Sequence, residues 1–144
     1  MASLTDVAKC FLYLDDENEG DGISNLKLQK LVYYAQGFHL ALFDKPLFDD
    51  QISAWTHGPV VESLYHQYKA HGSNSIPLPA DFDKEALSGD EFGLIAEVFE
   101  VFGQFSAWKL RNMTHEESPW INHEKDASVI PQSEIAEYFK QRSN

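Results

Sequence analysis

A long stretch of apolar residues with the period of an α-helix constrains the fold of this chain most strongly. The stretch begins at Ser24 or Asn25, either of which can cap a helix, and it ends at Asp44. Its apolar positions recur three or four residues apart, at Leu28, Leu31, Val32, Ala35, Phe38 and Leu42. This spacing places a wide apolar stripe on one face, so we expect the helix to lie at the centre of the core. Gly37 inside it costs about 1 kcal/mol relative to alanine, which predicts the close approach of another element there.

Further helix starts follow from capping residues and prolines along the rest of the chain. The expected starts lie at Ser3, Pro59, Ser88, Ser106, and Pro131 or Ser133. Ser88 has the spacing of a capping box with Glu91, and Pro59 suits the first turn of a third helix. Short apolar pieces within residues 47–55 predict a brief extended segment. We therefore expect a mainly α fold, a single compact domain over residues 1–144 with about six helices and a minor short β element.

Acidic residues dominate the charge of this chain. Twenty-three Asp and Glu stand against eleven Lys and Arg, which gives a formal charge of −12. A surface of this sign repels phosphate backbones, so we expect no direct nucleic-acid binding. It favours a basic protein partner, although the same charge also keeps a protein soluble. No apolar run is long enough for a signal peptide or a membrane span, which predicts a cytoplasmic location without membrane binding.

Common catalytic and metal-binding motifs are missing or incomplete. The acidic segment 15–22 lacks the final glutamate of a calcium-binding loop, so we expect a solvated loop. Two His-Glu pairs, at residues 115–116 and 123–124, begin a zinc-peptidase motif but lack its second histidine. The single Cys10 lies beside apolar helix positions, which favours a buried structural thiol over a catalytic one. We therefore expect no cofactor, no metal and no enzymatic activity.

The segment W-T-H-G-P-V-V, residues 55–61, predicts a sharp corner. Gly58 can adopt backbone angles closed to other residues and Pro59 fixes the next φ, which would hold the preceding side chains rigidly. In a structural interpretation, Trp55 is buried and His57 satisfies a backbone group. In a functional interpretation, His57 contacts a ligand or partner, or acts as an acid-base group.

The segment T-H-E-E-S-P-W, residues 114–120, poses a similar choice. Pro119 and Trp120 can lock this loop against the core, which leaves Thr114 and His115 to hydrogen-bond across to the corner. We favour this structural interpretation over direct contact of the segment with a partner.

Two adjacent tyrosines, Tyr33 and Tyr34, lie on the predicted central helix. Neighbouring helical residues point about 100° apart, so we expect at least one of the two rings to be exposed. Exposed tyrosines are common anchors of protein interfaces, and we take Tyr34 as the candidate.

Three motifs together resemble the Panacea antitoxin-like family, also called the SocA-like domain of phage-associated proteins. They are the central-helix sequence at residues 28–36, the corner that runs from Trp55 to Tyr65, and the segment 114–120. The resemblance implies a cytoplasmic, often prophage-encoded antitoxin that neutralises a protein toxin by direct binding. Some relatives instead act as adaptors that deliver a toxin to a protease.

Under this hypothesis, one set of residues contacts the partner and another shapes the motifs. The expected partner-binding residues are Tyr34, His57, Tyr65 and His115. The expected motif-shaping residues are Trp55, Gly58, Pro59, Thr114, Pro119 and Trp120. The expected partner is a basic cognate toxin, with a protease as a further partner if the chain is an adaptor.

Two other hypotheses stay open at this point. A small metal- or ligand-binding, hydrolase-like protein requires His57 and His115 to converge on one pocket with a carboxylate such as Glu62 or Glu116. In an adaptor or a phage structural protein, the acidic surface only maintains solubility. Whether the two histidines converge depends on the tertiary structure.

Overall fold

The computed structural model describes residues 1–143, which form seven α-helices and a three-stranded antiparallel sheet. The helices are α1 (Leu4–Glu17), α2 (Asn25–Phe43), α3 (Glu62–Tyr68), α4 (Gly89–Phe102), α5 (Ala107–Thr114), α6 (Ser118–Ile121) and α7 (Gln132–Ser143). The strands are β1 (Ile52–Trp55), β2 (Gly58–Val60) and β3 (Val129–Ile130), and β1 lies in the middle. The expectation of a mainly α fold with a minor β element is confirmed. Within the described part of the chain, no helix combines the length and the apolar character needed to span a membrane.

Helix α2 is the centre of the fold. It packs against α1, α3, α4, α5 and α7 and against strand β2. Leu28, Leu31, Val32 and Ala35 on this helix are fully buried, as their spacing predicts. Leu42, near the end of the helix, is more than half exposed. The central position brings several faces of α2 into contact with separate parts of the chain.

Helices α2 and α7 approach each other closely at Gly37. A Cβ atom added to Gly37 would lie 2.3 Å from ring carbons Cδ2 and Cε2 of Phe139. Protein interiors are close-packed, so only glycine leaves room for this ring without a shift of the helices. The close approach predicted at Gly37 is confirmed.

Serine side chains cap four of the helices. The hydroxyl oxygens of Ser3, Ser24, Ser88 and Ser106 each accept a hydrogen bond from a backbone N–H in the first turn. At α4 the Glu91 carboxylate also accepts a 2.8 Å hydrogen bond from the N–H of Ser88, which completes the predicted capping box. These bonds satisfy backbone donors that a helix leaves unpaired. The four corresponding predictions are confirmed.

The segment around Pro59 forms a β-hairpin, and the prediction that Pro59 begins a helix is wrong. Strands β1 and β2 pair with Trp55 opposite Gly58, so Thr56 and His57 form a two-residue loop. The strand order β2-β1-β3 places Pro59 on an edge strand, where a residue without an N–H donor is tolerated. Helix α3 begins only after β2 has ended.

Helix α1 continues into the acidic segment for which a solvated loop is expected. Asp15 is buried in the last turn of the helix, and its Oδ2 accepts a 3.0 Å hydrogen bond from the N–H of Gly22. The expectation is therefore wrong for Asp15, which folds the segment back onto the helix. Cys10 is fully buried, as predicted, and burial raises the pKa of its thiol to about 12. Such a thiol is a packing group, because little thiolate forms at neutral pH.

Candidate functional site

The three motifs contact one another in the structure, although they lie far apart in the sequence. The first motif is part of α2, and the other two pack against it or against each other. Nζ of Lys30, on α2, donates a 3.0 Å hydrogen bond to the carbonyl oxygen of Pro59 in the hairpin. Nε1 of Trp120 donates a 2.7 Å hydrogen bond to the carbonyl oxygen of Trp55 at the other side of the hairpin. We call the unit formed by Lys30, Trp55, Pro59 and Trp120 the motif junction. It holds the hairpin against both the central helix and the third motif.

Lys30 is fully buried in the motif junction. Burial, and to a smaller degree the charge of Arg111, lowers the pKa of Lys30 from 10.5 to about 7. A Cβ atom on Gly58 would lie 2.6 Å from Cε of Lys30 and 2.7 Å from Oγ1 of Thr114. Gly58 also has a φ of +109°, which side chains other than that of glycine rarely allow. Glycine is thus required there by the backbone and by the space that Lys30 occupies.

The third motif packs onto the junction through stacked rings. The rings of His115 and Trp120 lie 3.8 Å apart, with their planes inclined by 5°. Pro119 is buried in the first turn of α6. The hydroxyl of Thr114 donates a 2.7 Å hydrogen bond to the carbonyl oxygen of Arg111, so the expectation that Thr114 hydrogen-bonds to the corner is wrong. Threonine near a helix end commonly bonds back to its own helix in this way. His115 does reach the corner, through a hydrogen bond with the backbone of Thr56, and Trp120 adds its bond to the carbonyl oxygen of Trp55.

Both tyrosines of the central helix are buried, so the expectation that Tyr34 is an exposed anchor is wrong. The hydroxyl groups of Tyr33 and Tyr34 donate hydrogen bonds of 3.0 and 2.8 Å to the two carboxylate oxygens of Glu117. Arg142, on α7, donates a 2.8 Å hydrogen bond to Oε2 of the same carboxylate. Burial raises the pKa of Glu117, and these hydrogen bonds oppose that effect. The ring of Tyr33 packs against Phe139 of α7 and that of Tyr34 against Phe102 of α4, so neighbouring helices cover both.

An exposed cluster lies where α5 meets the loop between β1 and β2. Nε of Arg111 donates a 3.4 Å hydrogen bond to Nδ1 of His57. The guanidinium carbon of Arg111 lies 4.3 Å from the centre of the Trp108 ring, and the rings of His57 and Trp108 are 6.0 Å apart. Trp108 is 54% exposed. We call His57, Trp108 and Arg111 the Arg111 cluster.

Two members of this cluster, Trp108 and Arg111, carry no motif that marks them as functional residues in the sequence. Trp108 and Arg111 are three residues apart in the predicted fifth helix, a spacing that places both side chains on one helix face. An arginine that can stack on a tryptophan is a local signal for an ordered, exposed pair. The partnership of this pair with His57 could not be read from the sequence, because it joins residues 54 positions apart.

Basic groups lie close to the two histidines of the hydrolase hypothesis. Burial lowers the pKa of His115, and the charges of Arg111, Lys30 and His57 act in the same direction. Oε1 of Glu62 lies 3.8 Å from Nε2 of His66, which is also on α3. Within residues 1–143, no three His, Cys, Asp or Glu side chains are grouped so that they could hold a metal ion. Among the described residues, no carboxylate is hydrogen-bonded to His57 or His115, and His57 is bonded to Arg111.

A cleft of about 730 Å³ opens beside the Arg111 cluster. Trp55, His57, Tyr65 and Lys69 are among the residues that line it. The rings of Trp55 and Tyr65 meet edge to face, with their centres 5.2 Å apart. The structure therefore brings His57 and Tyr65 to one exposed surface, whereas His115 lies behind that surface against Trp120.

Comparison with known proteins gives a family for this chain. The family model described as "Antitoxin SocA-like, Panacea domain" matches residues 28–121, a range that includes the motif junction and the Arg111 cluster. Antitoxin SocA of Caulobacter vibrioides (strain NA1000 / CB15N) is 34% identical over 110 residues. That alignment covers 68% of this chain and 58% of the relative, so the chain spans less than two thirds of the relative's length. No solved structure matches the chain. The chain belongs to the SocA-like family of antitoxins with a Panacea domain.

Proposed function

We propose that this protein is an antitoxin that neutralises a cognate protein toxin by direct binding. The observation that carries the proposal is the family match over residues 28–121, which contains all three motifs. The antitoxin name of the curated relative supports the same role. The proposed role is non-enzymatic, and it requires toxin and antitoxin to share one compartment, which we take to be the cytoplasm.

The contacts within the motif junction support a division between buried and partner-facing residues. Lys30 and Trp120 hold the hairpin from inside, and the hairpin presents His57 on the surface next to α5. Groups that are already ordered lose less conformational entropy when a partner binds. We therefore propose the Arg111 cluster and the cleft beside it, including Tyr65, as the toxin-facing surface. Trp108 takes the role of exposed aromatic anchor that the sequence suggested for Tyr34.

The strongly acidic composition supports a basic toxin as the partner. A formal charge of −12 attracts a basic protein over distances longer than a direct contact, and this raises the rate of encounter. Salt screens such attraction over about 8 Å at physiological ionic strength. The association rate of the proposed complex should therefore fall as salt is added, while the dissociation rate should change less.

Co-expression tests this proposal directly. The protein encoded by the adjacent gene is expressed alone, with this chain, and with an unrelated acidic protein of similar size and charge. We expect arrested growth in the first and third cultures and normal growth in the second, together with co-purification of a stable complex. The unrelated acidic protein controls for rescue by charge alone.

Two results would count against the antitoxin function. A neighbouring protein that is harmless and forms no complex removes the expected toxin. Rescue by the unrelated acidic protein to the same extent would show that no specific surface is needed.

A further inference from the structure

On the basis of the antitoxin function proposed above, we propose that the Arg111 cluster binds a carboxylate of the toxin, the side chain of an Asp or Glu at the centre of the interface. Three properties of the surface support this assignment. They are an arginine without an acidic partner in the described part of the chain, a set of ordered hydrogen-bond donors, and an adjacent cleft with apolar walls.

Arg111 has no carboxylate partner among the described residues, although the chain is rich in carboxylates. Its hydrogen bonds go to Nδ1 of His57 and to Oδ1 of Asn112, and it forms no ion pair with a residue that the structure describes. The other arginine of the chain, Arg142, does form such a pair, with Glu117. A guanidinium group matches a carboxylate in charge and in geometry, so Arg111 is ready for an acid from outside the chain.

The surroundings of Arg111 favour an anion, in contrast to the net charge of the protein. Lys30 is buried behind the hairpin, and Lys69 lines the neighbouring cleft. None of the described residues that line this cleft is Asp or Glu. The charges of Arg111 and Lys30 likewise lower the pKa of His115. The local field at this corner is therefore positive.

The cluster offers donors that are already oriented. Nε and Nη1 of Arg111 are used by His57 and Asn112, and Nη2 makes no hydrogen bond to a described residue. Because Nδ1 of His57 accepts from Arg111, the proton of the neutral imidazole lies on Nε2, which provides a second donor. The face of Trp108 supports the guanidinium plane from a distance of 4.3 Å. An incoming carboxylate would meet these donors with little loss of side-chain freedom.

The cleft beside the Arg111 cluster indicates which kind of toxin residue lies next to the carboxylate. Its walls include the rings of Trp55 and Tyr65 and the side chain of Val60, next to His57 of the cluster. We expect an apolar or aromatic side chain of the toxin to enter the cleft when the acid binds Arg111. A desolvated aromatic pocket next to a paired charge is the usual composition of an interface hot spot.

The net charge of −12 does not oppose this contact. Exposed charges further apart than about 8 Å are largely screened at physiological ionic strength, so the pairing depends on the groups next to the carboxylate. A basic toxin that carries one acidic residue in its interface satisfies both the long-range attraction and the local pairing.

Matched charge-removing variants test the carboxylate site in the co-expressed complex. Arg111→Met removes the guanidinium, whereas Lys109→Met removes an exposed cation two residues away on the same helix and changes the net charge equally. We expect the dissociation constant to rise at least about tenfold for Arg111→Met and less than about twofold for Lys109→Met. Arg111→Lys keeps the charge without the planar donor fork, so we expect binding between those of wild type and Arg111→Met. Thermal unfolding of each free variant establishes that it is folded.

A charge exchange identifies the acidic residue of the toxin. Arg111→Glu should abolish rescue, and replacement of the correct toxin Asp or Glu by lysine should restore it. If wild type binds and the two methionine variants weaken the complex equally, or if neither weakens it, the carboxylate site is wrong and the antitoxin function stands. If wild type neither binds nor rescues, both proposals fail.

Discussion

Lys30 donates a 3.0 Å hydrogen bond to the carbonyl oxygen of Pro59, and this contact joins the central helix to the hairpin inside the protein. The ammonium group forms no ion pair with a residue that the structure describes, and burial lowers the pKa of Lys30 to about 7. A buried lysine with such a pKa changes its charge near neutral pH. The contact between Lys30 and Pro59 therefore makes the stability of the junction sensitive to pH.

We expect the stability of the wild-type protein to rise with pH above about 7, relative to that of Lys30→Met. The pKa of Lys30 is about 7 in the folded protein, below the ordinary value of 10.5, so between these values the unfolded chain binds more protons. Lys30 therefore makes the free energy of unfolding increase with pH in this window, by at most about 1.4 kcal/mol per unit. Urea unfolding of both proteins between pH 7 and about 8.5 measures the two slopes.

Lys109→Met is the control for this experiment. Lys109 is an exposed lysine on α5, so its removal should leave the pH slope of the wild type unchanged. Equal slopes for the wild type and Lys30→Met would show that Lys30 titrates as an ordinary lysine.

Substitution of two glycines by alanine should have opposite effects on stability. A Cβ atom at Gly37 would lie 2.3 Å from the ring of Phe139, so we expect Gly37→Ala to lower the free energy of unfolding by about 1–3 kcal/mol. Gly93 lies within α4, and a Cβ atom added to it would meet nothing within 4 Å, so Gly93→Ala should raise the free energy of unfolding by about 0.5–1 kcal/mol. Chemical denaturation of both variants measures the difference. A stabilising effect of Gly37→Ala would argue against the tight contact between α2 and α7.

Removal of the charge of Glu117 should destabilise the protein, whereas removal of the charge of Glu116 should have little effect on stability. Glu117→Gln loses the charge-assisted bonds from Tyr33, Tyr34 and Arg142, and we expect a loss of about 1–3 kcal/mol in the free energy of unfolding. Glu116 is exposed, so Glu116→Gln should change the free energy by less than about 0.5 kcal/mol. Denaturant unfolding at neutral pH compares the two variants. Similar, small effects would mean that the buried carboxylate contributes little to the core.

Local signals predicted much of the helical framework. A serine that caps a helix acts on backbone groups two or three residues away, so Ser24 and Ser88 could be identified from their neighbours alone. The glycine at position 37 likewise indicated a close contact, because glycine within a helix has a cost that needs compensation. The identity of the contacting ring, that of Phe139, came from the packing of α7.

Pro59 and Tyr34 show where local signals are insufficient. The fixed φ and missing N–H of Pro59 suit both the first turn of a helix and an edge strand, and its pairing opposite β1 decides between them. The helical spacing separates Tyr33 from Tyr34 by about 100°, but the exposure of Tyr34 depends on α4 and α7, which cover that face. In both cases the deciding contact comes from a distant part of the chain.

The sequence by itself determined the helical class, the central position of α2, the acidic character and the family, because periodicity, composition and motifs are properties of neighbouring residues. The tertiary structure alone decided that Lys30, Pro59 and Trp120 form a buried junction and that His57 meets Arg111 and Trp108 at the surface. These groups come from separate segments. Their distances are set by the packing of the helices and the hairpin around α2, which no local pattern specifies.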